Sequence, residues 1–152
     1  MDRKKNLLDK IGALIPGYTG YSERDGRRDT DKITRESICL NLDEIEKNIS
    51  ILLKKNEHKS DLFLIYENLR KKVNTINSKI KYLEYGFTSF FNDVQIKENE
   101  LEEIYKIDLD IQNEIKNFIQ KKGSENIEEL EIFIDKCNDF LLKRKLFLNK
   151  FK

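Results

Sequence analysis

Histidine, proline and methionine each occur once in this chain, cysteine twice and tryptophan not at all. Each scarcity closes a class of function. With His58 alone, a histidine-rich metal site is excluded, and so is the pair of Glu-x-x-His motifs that a di-iron bundle requires. His58 stands between Glu57 and Lys59, which reads as a surface turn. Cys39 and Cys137 lack the paired spacing of a zinc site or a disulfide framework. Both sit among apolar neighbours at helical spacing and read as small buried hydrophobes. The six glycines form neither the GK[ST] ending of a P-loop nor a dinucleotide-binding pattern, and no Ser–His or Cys–His triad is present. The opening MDRKKNLLDKIGALIPG starts like a secretory leader, but Asp9 and Lys10 interrupt its apolar run, and no later stretch could span a bilayer. A non-catalytic protein of the cytoplasm, with no metal and no cofactor, is the expectation.

What the chain does have is charge, aliphatic side chains and asparagine. Charged and apolar residues each make up 38%, a balance outside the disordered class. At 152 residues a single helical-bundle domain is expected over 1–152, with residues 1–21 as a short helix and turn segment and 22–152 as the bundle. A chain of this size buries roughly 70% of its unfolded surface. The net charge of +1 supplies no global field to draw in nucleic acid or an anionic membrane.

Apolar periodicity is helical almost throughout, over about 3–14, 22–56, 60–95, 97–121 and 125–150. Pro16-Gly17 and Gly20 end the first helix. Ser22 and Asp25 read as a capping box for the second, Ser60 as N-cap of the third, and Gly123-Ser124 as a C′ glycine followed by an N-cap. The third helix shows an apolar seam through Leu62, Ile65, Leu69, Val73, Ile76, Ile80, Leu83, Phe87, Phe90 and Val94. Its mean spacing of about 3.56 implies slight left-handed, coiled-coil-like supercoiling, and its length a rod of roughly 50 Å. Gly86 within it implies a close approach or a kink. The fourth helix carries Leu101, Ile104, Ile111, Ile115 and Phe118; the fifth carries Ile127, Leu130, Ile134, Cys137, Leu141 and Leu148. The architecture predicted is all-α, an elongated antiparallel bundle of four long helices with a short N-terminal helix.

The second helix changes character along one face. Its seam of Ile38, Leu42, Ile45, Ile49 and Leu52 continues backwards, at the same rhythm, through Arg35, Asp31, Arg28 and Arg24. Asp31 is spaced to bridge Arg28 and Arg35. If the second and third helices pair antiparallel through the turn at 56–60, facing residue numbers sum to about 117. Arg35 then meets Tyr82, Arg28 meets Ser89 and Arg24 meets Asp93. The arginines therefore face the aromatic segment holding Tyr82, Tyr85, Phe87, Phe90 and Phe91, with Tyr18 and Tyr21 at the same end. Arginine beside aromatic rings and carboxylates suits a binding surface. It equally suits a polar layer that closes the bundle and fixes register. Glu102, Glu103, Asp108 and Asp110 read as a solvated helix face rather than as metal ligands.

The pattern Ile15-Pro16-Gly17-Tyr18-Thr19-Gly20-Tyr21, Arg27-Arg28, Asp31-Lys32 and Arg35 resembles an uncharacterised family of small bacterial helical proteins. The resemblance covers roughly residues 8–40 and implies a recurring module without catalytic residues. The leading functional expectation is an adaptor that binds another protein through Tyr18, Tyr21, Arg24, Arg28, Asp31, Arg35, Tyr82 and Tyr85. The alternative is peripheral association with the inner membrane face through the first helix, using Lys4, Lys5, Leu7, Leu8 and Ile11, against which Asp2 and Asp9 act. Nucleic-acid binding is disfavoured, because Asp25, Asp29, Asp31 and Glu36 interleave with the basic residues and the pI is about 7.7. Homo-oligomerisation is left open by the sequence.

Overall fold

The structure, a computed structural model, describes residues 3–58 and 60–152. Lys59, in the turn expected at 56–60, lies outside the described residues, as does Asp2. Five α-helices follow one another: α1 (Arg3–Leu14), α2 (Arg24–Lys55), α3 (Asp61–Lys81), α4 (Glu98–Gln120) and α5 (Ile127–Asn149), with a 3-10 turn at Gly123–Glu125. The chain is all-α, and no strand occurs among the described residues.

Helices α2 to α5 form a four-helix bundle. α2 and α3 are antiparallel: Arg35 donates to the Ile80 carbonyl at 3.2 Å, and the Cys39 thiol lies 3.7 Å from the Asn77 carbonyl. Lower down the pair, Asn74 donates to Glu46 at 3.0 Å. Facing numbers thus sum close to the expected 117 along this part of the pair. α4 and α5 are likewise antiparallel, with ion pairs from Lys121 to Glu129 and from Lys136 to Glu114. The two hairpins sit side by side, so that α2 adjoins α4 and α3 adjoins α5, while α2 with α5 and α3 with α4 stand on the diagonals. Helices α3 and α5 run parallel, since residues 65–72 meet 131–135 at one end and 76–85 meet 138–145 at the other.

That diagonal placement explains where the sequence reading of the third helix departs from the structure. α3 has 21 residues and stops at Lys81. Residues 82–97 instead form an irregular crossover that carries the chain across the bundle end to α4. The segment Gly86-Phe-Thr-Ser-Phe-Phe-Asn-Asp93 consists of poor helix formers, and Gly86 turns the chain with φ +66°. Phe90 and Phe91 are buried by folding back over the bundle end, which a straight helix would not achieve. The α3 seam also shifts: its core side runs through Tyr66, Leu69, Val73, Ile76, Asn77 and Ile80, leaving Leu62 and Ile65 exposed. The longest helix is α2, whose 32 residues span about 48 Å.

Two caps also differ from the sequence reading. α2 begins one residue later than a Ser22 cap would place it, with Glu23 at the N-cap and no side-chain cap bond. The Tyr21 N–H is committed to the Tyr105 hydroxyl at 2.8 Å, which pins the chain just upstream. At the start of α5 the cap is Asn126, whose side chain accepts from the Glu129 N–H at 3.0 Å. Gly123 packs against Phe118, where a Cβ would lie 2.3 Å from the ring, and the left-handed residue of this turn is Lys122. Ser60 caps α3 as expected, accepting from the Phe63 N–H at 3.2 Å.

α1 lies along α4. Ile11 and Ile15 are fully buried, Leu7 and Leu8 pack against the core, and Lys4 pairs with Glu98 at 3.0 Å. The apolar face that a membrane reading requires is turned inward against the bundle. No described helix is long and apolar enough to cross a membrane.

Candidate functional site

At the bundle end where α2 begins, charged residues stand on the buried faces of three helices: Asp31 in α2, Asp108 in α4 and Arg144 in α5. The three side chains meet at the bundle centre. Arg144 is 3% exposed and Asp108 is 0% exposed. From α5, the Arg144 Nε donates to Asp108 Oδ1 at 2.8 Å and its Nη1 to Asp31 Oδ1 at 2.8 Å, the second reaching across the diagonal. Nη1 also donates to the Tyr85 hydroxyl at 2.9 Å, and Nη2 to the Tyr21 hydroxyl at 2.9 Å. Tyr18 and Tyr21 both donate to Asp108 Oδ2, at 2.8 and 2.6 Å. Tyr85 donates to Asp31 Oδ1 at 2.6 Å, and Arg35 Nε to Asp31 Oδ2 at 2.9 Å. Each carboxylate thus accepts three hydrogen bonds and the central guanidinium donates four, with partners drawn from five segments of the chain.

Electrostatics follow from burial and pairing. Burial, reinforced by Asp108, pushes the hydroxyl pKa values of Tyr18 and Tyr21 well above the ordinary tyrosine value. Burial does the same for Tyr85. For Arg144 burial opposes the charge, but the field of Asp108, then of Tyr21, Tyr85 and Asp31, outweighs it and raises its pKa. These shifts keep the three tyrosine hydroxyls protonated and Arg144 charged.

Arg27 forms a second polar anchor. Its Nε donates to the Tyr21 carbonyl at 2.8 Å, and its Nη1 to the carbonyls of Phe90, Asn92 and Val94 at 3.2, 3.1 and 2.8 Å. One guanidinium thereby ties the N-terminal turn to the crossover; burial lowers its pKa. The far side of the crossover is held by α5 and the residues just after it: Thr88 donates to the Leu148 carbonyl, and the Ser89 N–H to that of Phe151 at 2.9 Å. Gly20 completes the turn with φ +96°, where a Cβ would lie 2.5 Å from the Tyr105 hydroxyl.

Of the residues singled out in the sequence, Tyr18, Tyr21, Asp31, Arg35 and Tyr85 come together here. Arg24 does not: it is exposed and pairs only locally, with Asp25 at 3.1 Å. Arg28 is also exposed and stacks its guanidinium 5.2 Å from the Phe91 ring centre, so Asp31 bridges Arg35 and Arg144 rather than Arg28 and Arg35. The residue facing the core is Arg27, because the buried stripe of α2 runs from Ile38 through Thr34 and Asp31 to Arg27. Asp108, read as part of a solvated face, is fully buried. Asp108 and Arg144 were legible as gaps: each fills the empty slot in an apolar seam that otherwise jumps seven residues, from Ile104 to Ile111 and from Leu141 to Leu148.

Two hollows flank the cluster. A groove of about 510 Å³ lies between α3 and α5 with an aliphatic floor including Ile38, Ile76, Ile80 and Leu141. Tyr82, 75% exposed, and Leu142, 56% exposed, stand at its edge. Across residues 83–85, a cleft of about 450 Å³ is bordered by Arg28, Lys32 and Arg35. Phe87, at the crossover tip, is 102% exposed. Fold and site together define an all-α bundle closed at one end by a buried arginine–carboxylate–tyrosine cluster. Compared with protein-family models, curated proteins and solved structures, the chain finds no match.

Proposed function

We propose that this protein is a non-catalytic helical-bundle adaptor that binds another protein at its arginine–aromatic end. The observation carrying this reading is the groove between α3 and α5 beside Tyr82, with Phe87 wholly exposed on the crossover that walls it. Large aromatic side chains held in solvent beside an apolar hollow are the composition of a partner's anchor site. The buried cluster supports it by making the crossover a rigid platform rather than a floppy loop. The candidate reactive groups support a non-catalytic role. His58 is exposed in the turn at the opposite end, and the Cys137 thiol is pushed up to about 12 by burial.

The test is capture from the native cell with tagged wild type and a Tyr82→Ala/Phe87→Ala double variant. The double variant should lose at least about tenfold of a specific partner, as removal of hot-spot aromatics does, at an unchanged melting temperature. Equal capture by both would sink the reading.

A further inference from the structure

The groove has a charge signature as well as an apolar floor. Lys79 stands on its α3 wall and Lys145 on its α5 wall, with Glu84 as the one carboxylate; Arg35 and Arg144 also line it, but both are paired with Asp31. The cleft on the other side of residues 83–85 adds Arg28 and Lys32 against Asp29. Asp31 also borders that cleft, but its oxygens are occupied by Arg35, Arg144 and Tyr85. With the mutually paired Asp31, Arg35 and Arg144 set aside, four cations against two carboxylates therefore border the two hollows, on a chain whose net charge is only +1. Such local asymmetry on a near-neutral surface selects an anionic occupant.

The shape narrows the occupant further. Both long walls are helix ridges running parallel, and no strand edge is present among the described residues to pair with an extended peptide. Two adjacent helices with an open seam between them accept a third helix by ridge-into-groove packing. An amphipathic helix laid there presents apolar side chains at i, i+3 or i+4, and i+7 to Ile76, Ile80, Leu141 and Leu142. Its flanking carboxylates fall beside Lys79 on one wall and Lys145 on the other. A nucleic-acid backbone has the charge but no apolar face for this floor.

We infer that the groove takes an acidic amphipathic helix of a partner protein, an inference that rests on the adaptor reading and specifies the partner's chemistry. Leu142 and Leu146, one turn apart on α5 and both exposed, extend the contact line beyond the hollow toward the C-terminal end of that helix.

The probe is a labelled synthetic helical peptide with leucine at i, i+4, i+7 and i+11 and glutamate on its flanks. It is compared by fluorescence anisotropy with the same peptide carrying lysine for glutamate. Wild type should bind the glutamate peptide at least about tenfold more tightly, with a preference that weakens in salt. Lys79→Glu/Lys145→Glu should invert the preference, and Leu142→Asp should abolish binding of both peptides. All three positions are exposed, so an unchanged melting temperature verifies the fold. No preference between the peptides, or a preference untouched by the double charge reversal or by Leu142→Asp, overturns the inference. So does sedimentation with anionic phosphatidylserine vesicles that Leu142→Asp abolishes, which would assign the face to lipid. If capture still depends on Tyr82 and Phe87 while the peptides show no charge preference, the helix inference falls and the adaptor reading stands. If capture is indifferent to Tyr82 and Phe87, the adaptor reading itself falls.

Discussion

Arg144 is the residue on which the bundle end turns, because it is the one cation in contact with both buried carboxylates. Truncating it leaves Asp31 with Arg35 and the Tyr85 hydroxyl, and Asp108 with two tyrosine hydroxyls and no cation, in a water-poor interior. Removing one partner of a buried pair costs about 3–5 kcal/mol, and Arg144→Ala should lose that much in urea unfolding. A loss below about 1 kcal/mol would mean that water reaches the cluster. Tyrosine ionisation provides a separate handle. Tyr18, Tyr21 and Tyr85 keep their protons in the fold at pH values where the unfolded chain, with tyrosine pKa near 10, begins to release them. The unfolded state then binds fewer protons than the native state, so stability is fully present below about pH 10 and falls above it. Tyr21→Phe should make that alkaline decline shallower. Equal slopes for both proteins would remove Tyr21 from the account.

At the scale of elements, the crossover of residues 82–97 is longer than most connections in compact folds, and structureless loops of this length are usually functional or disordered. This one is ordered by bonds to the elements around it: Arg27 of α2 on one flank, the Leu148 carbonyl of α5 holding Thr88 on the other, and the ion cluster holding Tyr85. Arg27→Ala removes four carbonyl bonds at once and should speed amide exchange across residues 88–96 at least about tenfold, with little change in α4. Uniform acceleration everywhere would show that Arg27 supports global stability rather than this segment. The aromatic segment does meet the arginine face of α2, as the pairing arithmetic implies, yet it does so as a folded strap. The helical spacing of its apolar residues was real but did not dictate helix, because tertiary burial of Phe90 and Phe91 outweighs a weak local preference.

For the whole molecule, stability resides where the four helices surround their shared core, and the α3–α5 face is a surface. Ile76 is buried mid-helix, so Ile76→Ala should cost about 2–5 kcal/mol. Leu142→Ala on the exposed face should cost under about 0.5 kcal/mol. Comparable losses at the two positions in equilibrium unfolding would mean that the groove is closed in solution. The two hairpins lie side by side with α3 and α4 diagonal, which makes a long crossover geometrically necessary and opens the parallel α3–α5 seam.

The sequence by itself determined the class of fold, most helix limits, the α2–α3 pairing register and the core face of α2 up to Asp31. These follow from local periodicity and capping, which act over a few residues and are written in the chain. It also marked Tyr18, Tyr21, Asp31, Arg35 and Tyr85 as belonging together. Only the tertiary structure decided that Arg27, not Arg28, faces inward, that α3 ends at Lys81, and that Asp108 and Arg144 complete the cluster. Those outcomes depend on which helices lie diagonally and on charge pairing across many residues of sequence. A buried carboxylate and a solvated one look alike until the partner that neutralises the first has been folded against it.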